Sequence, residues 1–248
     1  YCDFSGYTDI AIGVARLMGI RLITNFNRPY MSTNIQEFWR RWHISLSTWF
    51  RDYLYKPLGG SRICMCMTVR NLMIVFVVSG LWHGANWTFF IWGFLHGLYM
   101  VSYVTLAALR DRYPRLVPRL PGLLGWLITT ALVVLAWVFF RAPSLGQAIA
   151  IVRSIVFHAP SEFIAGLSAI NTNQVMLFLQ APGNQPAFVG FIAAALMFFF
   201  EARKYDSERL APTLAGNGRV DFGLYFLLVL ATLIFGEFGR STFIYFQF

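Results

Sequence analysis

Two histidines lie inside thirty-nine consecutive residues, 71–109, that contain no Lys, Arg, Asp or Glu: His83, in the string SGLWHGANW, and His96. An apolar run of that length normally means lipid, and an ionisable group kept within it marks a functional site by default. Imidazole suits such a position because its unperturbed pKa of about 6.5 lets it take and return a proton at ordinary pH. Gly80, Gly84 and Ala85 around His83 lower helix propensity and favour a break. A break frees backbone N–H and C=O groups and opens space, which a tunnel needs and lipid-facing backbone does not tolerate. A neutral imidazole there is placed to remove the proton of an attacking hydroxyl as a general base. The packing alternative uses the same break, with the ring held by an exposed carbonyl as a hinge. His83 stands twelve residues into the run, ~18 Å at helical rise, which puts it near mid-depth of a core about 30 Å thick.

His43 is the second candidate. Ser32, Thr33 and Asn34 followed by Gln36 and Glu37 form a helix start with capping-box spacing. From residue 35 to about 53 the pattern is helical: Trp39, His43, Leu46 and Phe50 share one face, while Gln36, Arg40, Ser47 and Arg51 lie away from it. Such a helix is too polar to span, and reads as lying at the membrane interface or wedged beneath spanning helices. His96 aligns with Phe89, Trp92 and Tyr99, a packing position, and His158 beside Pro160 reads as a loop residue.

The elements that carry these residues belong to an integral membrane protein. Of 248 residues, 57% are hydrophobic and 12% charged, against about 25% charged in soluble domains. The length accommodates about five spans. A net charge of +9 falls mainly on arginines between apolar runs, where it marks cytoplasmic loops and anionic headgroups rather than nucleic acid. Cys2, Cys64 and Cys66 form no disulfide framework or zinc pattern. Residues 1–20 look like packed protein interior, with Asp3 and Asp9 either pairing with arginines or lining a polar cavity. Residues 122–140 are a clean span; 144–157 are too short to cross and read as re-entrant or interfacial; 186–200 and 222–236 are further spans. The arginines at 51–70 and 110–119 both ask to be cytoplasmic. Both can be so if the 71–109 run enters and returns, or if protein partly displaces it from lipid; a single crossing places one of them outside.

The strings YCDFSGYTDIAIG, NFNRPYMSTNIQEFWRRWHISLSTWFRDYLYKPLGG and SGLWHGANWTFFIWGFLHG resemble the membrane-bound O-acyltransferases, closest to the bacterial alginate O-acetyltransferase branch. FRAPSLGQA and the FIYFQF ending agree with it. The likeness runs over residues 1–248 as one membrane domain, and implies that further spanning helices precede this segment. It implies an all-α polytopic bundle, with interfacial and re-entrant helices around a tunnel, in the bacterial inner membrane. The family's essential histidine corresponds by motif to His83, and its second histidine to His43.

The resemblance further implies acyl transfer from a cytoplasmic thioester to a hydroxyl, with acetyl-CoA as donor and no bound cofactor or metal. The acceptor side is an exported polysaccharide, reached directly or through a periplasmic acetyltransferase or export partner. The developing oxyanion needs donors, for which Trp82 and Asn86 stand adjacent to His83. Arg40, Arg41 and Arg51 could attract the donor's phosphates, or simply anchor to headgroups. Three alternatives stay open: D-alanyl transfer from a carrier-protein thioester to teichoic acid, a transporter or channel subunit in which the histidine relays protons, and a non-catalytic scaffold.

Overall fold

The computed structural model describes residues 1–158 except residue 117. The expected spans at 186–200 and 222–236, and the extent of the domain to residue 248, lie outside those residues. Every regular element described is helical: α1 (Cys2–Leu17), α2 (Ile35–Arg41), α3 (Ile44–Phe50), α4 (Met65–His83), α5 (Trp87–Arg112), α6 (Gly122–Arg141) and α7 (Leu145–Phe157). A 3-10 turn at Pro29–Met31 leads towards α2, and a π-helical turn at Arg51–Tyr55 extends α3. Helices α4, α5 and α6 are long and apolar enough to cross a membrane. Helix α7, started by a Ser144 side chain that accepts from the Gln147 N–H, has thirteen residues and is too short, as expected.

The 71–109 run folds back on itself as a helical hairpin. Helix α4 stops at His83, and Asn86 starts α5 by accepting the Thr88 N–H on its side chain. A connection of three residues (84–86) leaves two neighbouring helices only an antiparallel arrangement. Their contact is glycine on glycine. A Cβ on Gly80 would meet the Phe89 carbonyl oxygen and Gly93 Cα, and one on Gly93 would meet the Phe76 carbonyl oxygen. Further along, Gly97 lies against Met73 and Phe76, so the small-residue face at Gly93 and Gly97 is used for close helix contact. This hairpin puts Arg62 and Arg70 at the same end as Arg110, Arg112, Arg115 and Arg119, which removes the conflict in orientation.

Helix α4 begins at Met65, six residues ahead of the uncharged run. His83 is therefore its last residue, ~27 Å from its start at helical rise, and stands at the tip of the hairpin rather than half-way along it.

Helix α2 is wedged among the spans. Ile35 and Phe38 join Phe76 of α4, Met100 of α5 and Val133 of α6 in one buried cluster, with Trp39, Trp42 and Trp137 packed around it. Its start follows the capping pattern: Asn34 Oδ1 accepts the Glu37 N–H at 2.8 Å, and Glu37 Oε2 accepts the Thr33 N–H at 2.8 Å. Asp3 and Asp9 are exposed on α1 and make no ion pair among the described residues, so the expected pairing with arginines is not seen.

Candidate active site

The expected continuous helix over 35–53 is broken at its histidine. His43 has φ 43° and ψ 57°, the left-handed region, and separates α2 from α3. An L-residue there is strained, though His visits it more readily than branched residues. Breaking the helix strands backbone donors, and the extended stretch before Pro29 satisfies them. The Asn25 carbonyl accepts the Ile44 N–H at 3.0 Å, and Asn25 Oδ1 accepts the Ser45 N–H at 3.0 Å. On the other side the Arg41 carbonyl accepts the Asn27 N–H at 2.9 Å. Asn25 was not among the sequence candidates. Its spacing from Ser45 follows no local rule, so only the doublet of asparagines in NFN hinted at it.

The turn directs His43 into a buried position, where its ring meets Phe4 edge-on at 4.8 Å and Nδ1 lies 3.4 Å from Ser45 Oγ. Burial lowers its pKa to about 4, and the neighbouring His83 adds to the shift by charge repulsion. The break thus brings His43 within electrostatic reach of His83, forty residues further on.

His83 sits in an aromatic box. Trp92 and Phe140 stand edge-on to its ring at 5.2 and 5.1 Å, Trp82 at 4.9 Å, and Phe89 lies tilted at 6.3 Å. Three of these come from α5 and α6, a lining that spacing around His83 did not reveal. The ring is partly exposed and makes no hydrogen bond among the described residues. Trp82 is largely exposed, and Asn86, also exposed, spends its side-chain oxygen on the Thr88 N–H at 3.2 Å.

A cavity of about 600 Å³ runs beside α4. Arg40 and Arg51 line it, with Thr68, Leu72, Val75 and Ser79 along one stripe of α4. From Thr68 to Ser79 is ~16 Å at helical rise, and Ser79 is one turn short of His83. Neither imidazole lines the cavity; Ser79 and Ile44, next to His43 in sequence, are its nearest lining residues to them. Arg40 is exposed and makes no ion pair among the described residues. Arg51 pairs with Asp52 at 3.1 Å, and hydrogen bonds from Arg51 and Lys56 hold the Asp52 carboxyl down to about 2. Arg41 is absent from the lining: it pairs with Glu37 at 2.6 Å and donates to the Arg28 carbonyl at 3.4 Å. The described residues contain no cluster of His, Cys, Asp or Glu able to hold a metal ion.

These features define a helical membrane protein with a wedged, broken helix beneath a hairpin that presents a histidine at its tip. The chain belongs to the membrane-bound O-acyltransferase family, whose model matches residues 1–142. It is 36% identical to the peptidoglycan O-acetyltransferase of Helicobacter pylori, over 100% of this chain and 47% of that protein. It is 53% identical to the probable alginate O-acetylase AlgI of Pseudomonas aeruginosa, over 58% of this chain and 27% of that protein. It is 41% identical to the teichoic acid D-alanyltransferase of Bacillus subtilis, over 42% of this chain and 28% of that protein. The chain spans about half the length or less of these relatives.

Proposed function

We propose that the protein is an O-acetyltransferase of the bacterial inner membrane. Acetyl-CoA serves as donor on the arginine-rich side, and a hydroxyl of an exported polysaccharide, or of a partner protein that passes the acetyl group on, serves as acceptor. The observation that carries this reading is the cavity: Arg40 and Arg51 line it, and its lining along α4 reaches Ser79, one turn below His83. An anionic donor with a long thioester arm suits a cavity that offers two arginines together with an apolar wall of Leu72, Val75 and Phe76. The positive-inside tendency gives the arginine end to the cytoplasm. The partly exposed imidazole at the hairpin tip then receives the acceptor from the opposite side.

In the transfer step His83 takes the proton of the acceptor hydroxyl as its oxygen bonds to the thioester carbonyl carbon. The carbonyl electrons move onto oxygen, where N–H donors stabilise them; Trp82 Nε1 and Asn86 Nδ2 supply them here. Collapse breaks the C–S bond, and the thiolate leaves and recovers the proton from His83. His43, buried and neutral, lies within electrostatic reach of His83 and leaves the proton on that ring unopposed by a second charge. The acetyl reading is supported over D-alanyl transfer by the fuller correspondence with the peptidoglycan O-acetyltransferase, which reaches along the whole chain.

The test is transfer of radiolabelled acetyl from acetyl-CoA to an oligosaccharide acceptor by full-length protein in nanodiscs. His83→Ala should lose at least about a hundredfold in kcat, the usual scale for a lost general base. Transfer at the wild-type rate by that variant would sink the assignment. Labelling from a D-alanyl carrier thioester, with none from acetyl-CoA, would replace the donor.

A further inference from the structure

Trp92, His96 and Tyr99 follow one another at i, i+4 and i+7 along one face of α5. Each carries a buried polar atom without a hydrogen-bond partner among the described residues: Trp92 Nε1, His96 Nε2 and Tyr99 Oη. His96 is 0% exposed and Trp92 3%. The His96 ring lies 4.9 Å from that of Trp92 and 5.8 Å from that of Tyr99. Buried donors are rarely left without an acceptor, and the usual remedy is an internal water making about three hydrogen bonds.

The other nitrogen of His96 is committed. Trp39 Nε1 donates to His96 Nδ1 at 3.3 Å, tying α2 to α5. Because indole only donates, Nδ1 is the acceptor and the neutral ring carries its proton on Nε2. Stacking continues the tie towards the broken helix. Phe38 lies parallel to His96 (6.5 Å, 7°) and to Trp42 (5.5 Å, 17°), and Trp42 immediately precedes His43. On the opposite side Trp92 stands edge-on to His96 and to His83, at 4.9 and 5.2 Å.

We propose that a water molecule binds among Trp92 Nε1, His96 Nε2 and Tyr99 Oη, and that the hydrated His96 is a positioning residue. It holds α2 in register with the α4–α5 hairpin and so keeps the His43 turn within electrostatic reach of His83. The proposal rests on the reading of His83 and His43 as the reacting end of the site. His96 touches no reactant; it acts through Trp39, Phe38 and Trp92. A packing role, the reading from its alignment with Phe89, Trp92 and Tyr99, accounts for the rings around it and leaves its two polar nitrogens unexplained.

The test uses full-length protein in nanodiscs with nitrogen-15 in histidine and tryptophan side chains. His96 is expected in the Nε2–H tautomer, with magnetisation transfer from water to that proton. The Trp39 indole signal shifts in His96→Phe and is restored in His96→Asn, whose amide oxygen replaces Nδ1 as acceptor. In acetyl transfer, His96→Phe and Trp39→Phe each lose about tenfold or more in kcat, with donor KM within about twofold. The double variant is no worse than either single, since both remove one interaction, and His96→Asn recovers most of the rate. An Nδ1–H tautomer, no transfer from water, wild-type kcat in His96→Phe, or additive losses in the double variant would each overturn the proposal. Absence of acetyl transfer by the wild-type protein would instead sink the functional reading, and the tautomer, water and indole signals would still decide the site.

Discussion

Asn25 caps a helix to which it does not belong: its Oδ1 accepts the Ser45 N–H at 3.0 Å, twenty residues on, while its carbonyl accepts that of Ile44. The two bonds replace those lost when the chain turns left-handed at His43. Asn25→Ala should therefore lower stability by about 1–2 kcal/mol, the scale of a lost N-cap. Asn25→Asp, which keeps the acceptor, should lose much less. Thermal unfolding of full-length protein in detergent measures both, and equal losses would contradict the capping role.

The left-handed backbone at His43 separates two effects of substitution. His43→Asn keeps a residue that tolerates this conformation, so the helix break should survive. His43→Val adds strain of about 1–3 kcal/mol on top of the lost ring. Unfolding midpoints should rank wild type above Asn and Asn above Val; a Val variant as stable as Asn would show that the turn is not strained.

Burial lowers the His43 pKa from 6.5 to about 4. In the unfolded chain the ring protonates as pH falls through about 6.5, whereas in the folded protein it stays neutral until about 4. Between those values the unfolded state binds more protons, so stability rises with pH across the window and falls on acidification, by on the order of 3 kcal/mol in all. Unfolding measured from pH 7 to 4 should show this slope, and His43→Asn should flatten it. An unchanged slope in the variant would assign the acid sensitivity elsewhere.

Arg40 and Arg41 are neighbours in sequence with different surroundings. Arg40 lines the cavity, whereas Arg41 is held by Glu37 and the Arg28 carbonyl. Arg40→Ala should raise the donor KM by about tenfold, as expected for one lost charge-assisted contact of about 1.5 kcal/mol. Arg41→Ala should act on stability more than on KM. Steady-state kinetics with varied acetyl-CoA separates them, and a larger KM effect at Arg41 would move the donor site.

Gly93→Ala would press its Cβ on the Phe76 carbonyl oxygen, which belongs to a rigid helix and has nowhere to go. The hairpin should be destabilised by about 1–3 kcal/mol. Gly97→Ala meets the flexible Met73 side chain first and should be tolerated better. Cysteine crosslinking between α4 and α5, or unfolding in detergent, reports the difference; equal effects would argue against glycine-mediated contact as the reason for the close approach.

Much of the architecture was legible in the residue pattern. The span at 122–140 ends at Arg141 as expected, the break after Gly80 falls at residues 84–86, and Asn34 with Glu37 starts α2. The misreading of 35–53 has a physical origin. Periodicity over 35–53 gave a continuous helix because side-chain spacing there is helical, but it carries no information about a distant asparagine ready to accept the N–H groups of a broken one. The faces inferred from that helix failed with it: His43 and Phe50 are buried, yet Arg40 and Arg51 share the cavity with Trp39 and Leu46.

Sequence alone determined that this is a membrane protein, where the long apolar helices at 71–109 and 122–140 run, and that His83 and His96 lie on them, because these depend on local composition, caps and spacing. Tertiary structure decided that the 71–109 run turns back, that His43 comes within electrostatic reach of His83, and that a cavity lined by Arg40 and Arg51 runs beside α4 as far as Ser79. Those outcomes hang on contacts between residues far apart in the chain, glycine against glycine and asparagine against a broken helix. Such contacts form only when whole elements meet, so no window along the sequence contains them.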